Sequence, residues 1–190
     1  MKLSKNNQHI GFTIIELMVA VIIIGILAGI GMGHYQRNWK EERLKAIARE
    51  TAAWLEDARL RAIQESETCM IEIDDANTTL KASSSDHQNN CADISTLNLK
   101  QITQNIDNLI LCSDTSTSSN LICDSSHTYS QANGATRIII TPRGTVAQGG
   151  LIKLYLDQSI KNRCISIMQP LGLIRQGIEK SSNCNFNTAF

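Results

Sequence analysis

The chain has 190 residues, with 18 Lys and Arg balanced by 18 Asp and Glu, so its formal net charge is zero. That length holds one ordinary domain with a real core, or a small domain plus an appendage. The even balance removes the bulk positive field of a dedicated nucleic-acid binder, and six cysteines argue against a reduced cytosolic enzyme.

Taken in chain order, residues 1–11 contain Lys2 and Lys5 and no acidic residue. An apolar run from Phe12 to Gly33 follows, broken by Thr13 and Glu16, and residues 17–33 carry no charge at all. A helix over residues 12–33 rises about 33 Å, enough to cross the hydrocarbon layer. Basic residues ahead of the span place the N-terminus in the cytoplasm. Everything after residue 34 then faces an oxidising compartment, which suits the cysteines. A cleaved secretory signal centred on residues 17–27 is the competing expectation. Against it, residues 28–33 stay apolar where a cleavage site would turn polar, and residues 35–67 contain neither Pro nor Gly to stop a helix.

Glu16 lies inside the apolar run. An ionised carboxylate at membrane depth costs a few kcal/mol, about 2.5–3.5 on insertion scales. It is tolerated in a first helical turn, through the helix dipole and snorkelling, or through a cationic partner. A cut between Gly11 and Phe12 would create such a partner, an α-amine one helical turn away. The amine of a neighbouring chain would serve equally, and would link the two subunits.

From Tyr35 to Ser66 the spacing predicts an amphipathic helix. Leu44, Ile47, Thr51, Leu55, Ala58 and Ala62 recur at three- and four-residue steps, flanked by Ala48 and Trp54. Arg37, Lys40, Glu41, Arg43, Arg49, Glu50, Glu56, Arg59 and Arg61 fill the other positions as a solvated face. Joined to residues 12–33, this gives one helix roughly 80 Å long. Beyond Glu67 the pattern becomes short β-type runs over residues 69–73, 109–112, 137–141, 151–156, 163–168 and 173–178. Turn signals stand at Asn133-Gly134, Pro142-Arg143-Gly144 and Gly149-Gly150. Thr141-Pro142-Arg143-Gly144-Thr145 reads as a hairpin turn, which implies antiparallel pairing with one face under the helical stripe. Residues 76–136 are rich in Ser, Thr, Asn and Asp and read as polar inserts.

Cys69, Cys91, Cys112, Cys123, Cys164 and Cys184 all follow the apolar segment. Six cysteines allow fifteen pairings, and sequence does not choose among them. The closure of sequence neighbours, Cys69–Cys91, Cys112–Cys123 and Cys164–Cys184, is expected because those loops bracket polar stretches short of core. There is no C-x-x-C for a metal, and Cys123 with His127 is the one close Cys/His pair. His9, His34 and His87 fall in the leader, at the membrane edge and in a polar loop. Asp74 and Asp75 are adjacent, so on a strand they point to opposite faces. Gly-x-Ser-x-Gly and Gly-rich phosphate loops are absent, and no enzyme, cofactor or metal is expected.

The stretch Lys2-x-x-Ser4-Lys5 followed by Gly11-Phe12-Thr13-Ile14-Ile15-Glu16-Leu17-Met18-Val19 resembles the class III leader and first helix of type IV pilins and type II secretion pseudopilins. That resemblance implies cleavage after Gly11 by a prepilin peptidase, methylation of the amine of Phe12, and pairing of Glu16 with a neighbour's amine during assembly. The Trp54-Leu55-Glu56-x-x-Arg59-x-x-Ala62 stretch, the Ile138-Ile-Ile-Thr-Pro-Arg-Gly-Thr145 block and the Gly172-Leu173-Ile174-Arg175 block resemble the GspH/FimT type of minor pilin. The implied fold is α+β, a pilin fold. It comprises leader 1–11, transmembrane and filament-core helix 12–34, and periplasmic head 35–190 built as helix 35–66 followed by an antiparallel β-sheet. The implied role is a minor type IV pilin that helps initiate or cap a pilus, anchored by one pass in the inner membrane. Its partners would be other pilin or pseudopilin subunits and the inner-membrane assembly platform. A type II secretion pseudopilin is the first alternative. A DNA-binding minor pilin using Arg143 and Arg175 is the second. In DNA-binding members the last block reads Gly-Arg-x-Arg, whereas here Leu173 replaces the first arginine. Without Lys2 and Lys5, moreover, 16 basic residues face 18 acidic ones.

Overall fold

The computed structural model describes residues 12–84, 91, 94–102, 108–115, 123, 136–156, 161–180 and 183–187, with backbone only at 30–38. The leader 1–11, Asn133-Gly134, and the side chains of His9, His34, His87 and His127 lie outside the described residues. Helix α1 spans Ile14–Gln64. The chain divides into two units, Met1–Asn38 and Trp39–Phe190.

Within the second unit, the stripe predicted from three- and four-residue spacing is the face that α1 buries. Leu44, Ile47, Thr51, Leu55, Ala58 and Ala62 are all buried, as are Ala48 and Trp54. Thr51 is tolerated there because its hydroxyl donates to the Ile47 carbonyl at 2.8 Å, leaving only its methyl to pack. The helix ends where Ser66 turns left-handed at φ 55°. The amides of Ser66 and Glu67 then bond back to the carbonyls of Ile63 and Ala62, closing the last turn.

Two five-stranded antiparallel sheets pack on this stripe. The first contains β1 (Cys69–Asp74), β2 (Thr79–Ser84), β3 (Leu97–Asn98), β5 (Thr136–Ile140) and β6 (Val146–Gln148), in the order β3-β2-β1-β5-β6. The second contains β4 (Leu109–Asp114), β7 (Gly150–Leu156), β8 (Arg163–Met168), β9 (Leu173–Lys180) and β10 (Asn183–Asn185), in the order β10-β9-β8-β7-β4. A short helix, α2 (Leu99–Ile102), follows β3. The chain crosses between sheets at Gly149-Gly150, which sequence alone reads as a turn within one sheet. Asp75 straps the sheets together, accepting from the Ser113 amide at 3.1 Å and the Ser113 hydroxyl at 2.6 Å.

Ile71, Ile73, Leu80, Ile138 and Ile140 of the first sheet join Leu109, Leu111, Ile152, Leu154, Ile165 and Ile167 of the second in one cluster with the α1 stripe. Each such side chain contributes about 1.5–3 kcal/mol on leaving water. The stretch read as polar inserts supplies part of this core. Leu80, Ile94, Leu99 and Leu109 are buried, and the Ser95 carbonyl accepts from the Trp54 indole at 2.9 Å.

Candidate assembly site and head clamp

Thr13 caps α1. The Glu16 amide donates to the Thr13 hydroxyl at 3.3 Å and to its carbonyl at 3.1 Å, and the Leu17 amide donates to the same carbonyl at 3.2 Å. Thr13-x-x-Glu16 is thus the sequence pattern of a capping box, with an acid in the turn where the helix dipole favours it. Glu16 therefore has a local reason to sit at this position, beside the intermolecular pairing expected from the sequence. Phe12 stands just ahead of the cap and is 83% exposed. Gly11, the other half of the expected cleavage site, lies outside the described residues.

Every described side chain from Phe12 to Gly29 is exposed in the isolated chain. Ile14, Ile15, Leu17, Met18, Val19, Val21, Ile22, Ile23, Ile24, Ile26 and Leu27 are all more than half exposed. A monomer in water rarely presents a contiguous apolar surface of this extent. Among the described residues no helix is long and apolar enough to cross a membrane; the uncharged run 17–33 continues into the stretch described by backbone alone.

At the other end of α1, Arg59 gathers the three blocks that carry the finer resemblance. Its Nε donates to the Gly144 carbonyl at 2.8 Å and an Nη to the Leu171 carbonyl at 3.3 Å, while Glu56 lies 3.6 Å away. Gly144 closes the β5–β6 hairpin at φ 73°, its amide donating to the Thr141 carbonyl at 2.8 Å. Gly172 closes the β8–β9 hairpin at φ 68°. A Cβ on Gly172 would stand 2.7 Å from the Gly144 carbonyl, so the close approach of the two turns needs glycine at 172, while a Cβ on Gly144 would stand 2.6 Å from Ile63 Cδ1 of α1. Around this clamp Leu60, Ile63, Leu171 and Leu173 remain exposed. Sequence reasoning placed Arg59 on a solvated face. The signal that could have separated it was its recurrence in a block beside Trp54.

Cys69 bonds Cys91, Cys112 bonds Cys123 and Cys164 bonds Cys184, with Cα–Cα distances of 5.7, 5.9 and 6.0 Å. No cysteine is free. Arg175, on the face of β9 away from α1, lines an open cleft of about 480 Å³ with Lys180, Cys184, Asn185 and Phe186. Arg143 is exposed on the β5–β6 turn and does not line that cleft. Among the described residues no cluster of His, Cys, Asp or Glu could hold a metal ion. Asp74 and Asp75 diverge. Asp75 turns to Ser113, whereas Asp74 accepts from the Asn77 side-chain amide at 2.6 Å and its backbone amide at 3.0 Å. Those bonds hold the Asp74 carboxyl below its ordinary pKa of 3.8. Arg163 is buried on β8, where desolvation pushes its guanidinium below its usual value while Glu41 and Glu42 of α1 counteract that push.

Residues 6–32 match the family described as the prokaryotic N-terminal methylation motif. No curated protein gives a match. Among solved structures, the chain is similar to the type IV minor pilin FimU of Pseudomonas aeruginosa at 16% identity and a TM-score of 0.47, covering 77% of this chain and 95% of that one. A second crystal form of the same protein matches at 16% identity and 0.45, covering 74% and 96%. Residues 6–32 thus carry an N-terminal methylation motif that runs into the first turns of α1, and the unit from Trp39 onward is an antiparallel α+β fold.

Proposed function

We propose that this chain is a minor type IV pilin, a structural subunit that helps initiate or cap a pilus. In this reading a prepilin peptidase cuts after Gly11 and the amine of Phe12 is methylated. Residues 12–34 then hold the subunit in the inner membrane, N-terminus in the cytoplasm, until it enters the filament. The observation that carries the reading is the exposed apolar surface from Phe12 to Leu27, within the residues that match a motif for N-terminal methylation. Such a surface needs lipid first and neighbouring helices afterwards, and small residues such as Ala20, Gly25, Ala28 and Gly29 permit close helix approach. Extraction from lipid is then offset by reburial, and Glu16 meets the amine of another subunit.

Two measurements test it. Mass spectrometry of the mature chain is expected to show methyl-Phe12 at the N-terminus, and an intact Met1 would overturn the reading. Glu16→Ala is expected to leave the head folded but to abolish incorporation into sheared filaments. The Thr13 cap supports a local role for the same carboxylate, so Glu16→Gln, which keeps much of the side chain's geometry without its charge, separates the two. Loss of incorporation with Gln assigns the charge to assembly.

A further inference from the structure

The sheet that contains β7, β8 and β9 has two faces. Ile152, Leu154, Ile165 and Ile167 point into the core with the α1 stripe, so the alternate residues point away from it. On that outer face Lys153 lies between Cys112 of β4 and Cys164 of β8, and Cys164 lies opposite Gly177 of β9. Both flanking cysteines are disulfide-bonded. One register step further along, the Glu179 amide donates to the Asn162 carbonyl at 3.0 Å, which sets Glu179 beside Asn162. Lys153 reaches diagonally across this row, as a long side chain can between neighbouring strands.

The result is one carboxylate that touches two other groups. Lys153 Nζ donates to Glu179 Oε1 at 2.8 Å, and Asn162 Nδ2 donates to Glu179 Oε2 at 2.6 Å. The Lys153 side chain is 0% exposed and that of Glu179 is 12% exposed. The Asn162 side-chain carbonyl is buried and makes no hydrogen bond. An amine, a carboxamide and a proton carrier between them, shielded from water, are the components of an amide exchange.

We propose that Lys153 and Asn162 become joined by an amide bond that the folded protein forms itself, with Glu179 as the catalytic proton carrier. Glu179 Oε1 takes a proton from the Lys153 ammonium, and the freed lone pair of Nζ attacks Asn162 Cγ. The Nζ–Cγ bond forms and the Cγ–Nδ2 bond breaks. Two protons pass in turn from Nζ to Nδ2 through the carboxylate. The leaving nitrogen departs as ammonium, Nζ keeps one hydrogen as an amide, and Glu179 ends ionised as it began. The exchange needs no oxidant and no cofactor. Burial suits it because water, the competing nucleophile, is excluded. The cross-link ties β7 to β8 at the end of the sheet opposite the β8–β9 hairpin. It does not depend on the assembly role proposed above.

Peptide mass spectrometry of the purified full chain, reduced, denatured and digested with trypsin, tests this. Trypsin is expected not to cut after Lys153. The peptide 144–161 should remain attached through that lysine to the dipeptide Asn162-Arg163, at a mass lower by one ammonia than the two separate peptides. A succinimide at Asn162 would lose the same ammonia but leave Lys153 open to cleavage, which would overturn the proposal. So would a wild-type chain cleaved after Lys153 with Asn162 unmodified. Glu179→Gln keeps the size and one acceptor of the carboxyl and is expected to abolish the cross-linked peptide. Its survival in that variant would remove Glu179 from the reaction.

Discussion

At the scale of single residues, Arg59 decides how the head is fastened to its helix. One guanidinium satisfies carbonyls from two hairpin turns that are remote in sequence, and its planar fork does this with little ordering cost per bond. Arg59→Ala is expected to lower stability by about 1–2 kcal/mol, chiefly through the part-buried bond to the Gly144 carbonyl, since water can reach the exposed Leu171 carbonyl. Arg59→Lys should recover only part, since a single ammonium cannot reproduce the fork. Urea unfolding of the three proteins measures this, and equal midpoints for wild type and Ala would refute the clamp. Roles of this kind were not legible in the sequence. Arg59 falls among charged positions that look solvated, and Lys153 sits in Leu151-Ile-Lys-Leu-Tyr-Leu156 as an ordinary polar step of a strand. What each touches depends on chain segments that periodicity does not bring together. The first-turn position of Glu16 beside the Thr13 cap was legible because it depends on neighbouring residues alone.

At the scale of elements, α1 was the easiest to read. A buried stripe at helical spacing survives any local composition, and all six residues named for it are buried, together with Ala48, Ala52 and Trp54. Strands with dense Ile, Leu and Val were legible too, with ends shifted by a residue or two. β2, β3, β6 and β10 were not, because they are short or rich in Ser, Thr and Asn, and they hold their places through ladder bonds to better strands. The β1–β2 turn has its own pH signature. Asn77 donates twice to Asp74 and lowers its carboxyl pKa in the folded state. A depressed folded pKa stabilises above the unfolded value and loses that contribution as pH falls through the folded one. Stability should therefore decline as pH falls below the ordinary carboxyl value of 3.8. Asp74→Asn should flatten this part of the acid unfolding curve, and an unchanged acid limb would exclude the turn as its source.

At the scale of the whole molecule, the three disulfides close spans of 22, 11 and 20 residues, each within one stretch of chain. Neighbour closure is an expectation that needs only the cysteine order and the polar stretches between. The division into two sheets needs the crossing at Gly149-Gly150, which sequence does not distinguish from a tight turn. By the loop-entropy account each bridge stabilises by about 2–4 kcal/mol, against a usual total of about 5–15 kcal/mol for a domain. Full reduction is therefore expected to leave the head mostly unfolded at a urea concentration where the oxidised head is intact. Circular dichroism with and without reductant measures this, and coincident transitions would show the bridges to be energetically idle.

Every covalent staple in the head lies beyond residue 68, so none of them spans from α1 to the sheets. Tension that draws α1 lengthwise out of the head meets non-covalent resistance, from packed Leu, Ile and Ala side chains, from the grips of Trp54 and Arg59, and from the attraction of Glu41 and Glu42 to Arg163. Under mechanical load the seam along the helix gives way first, while the stapled sheets travel together as one piece.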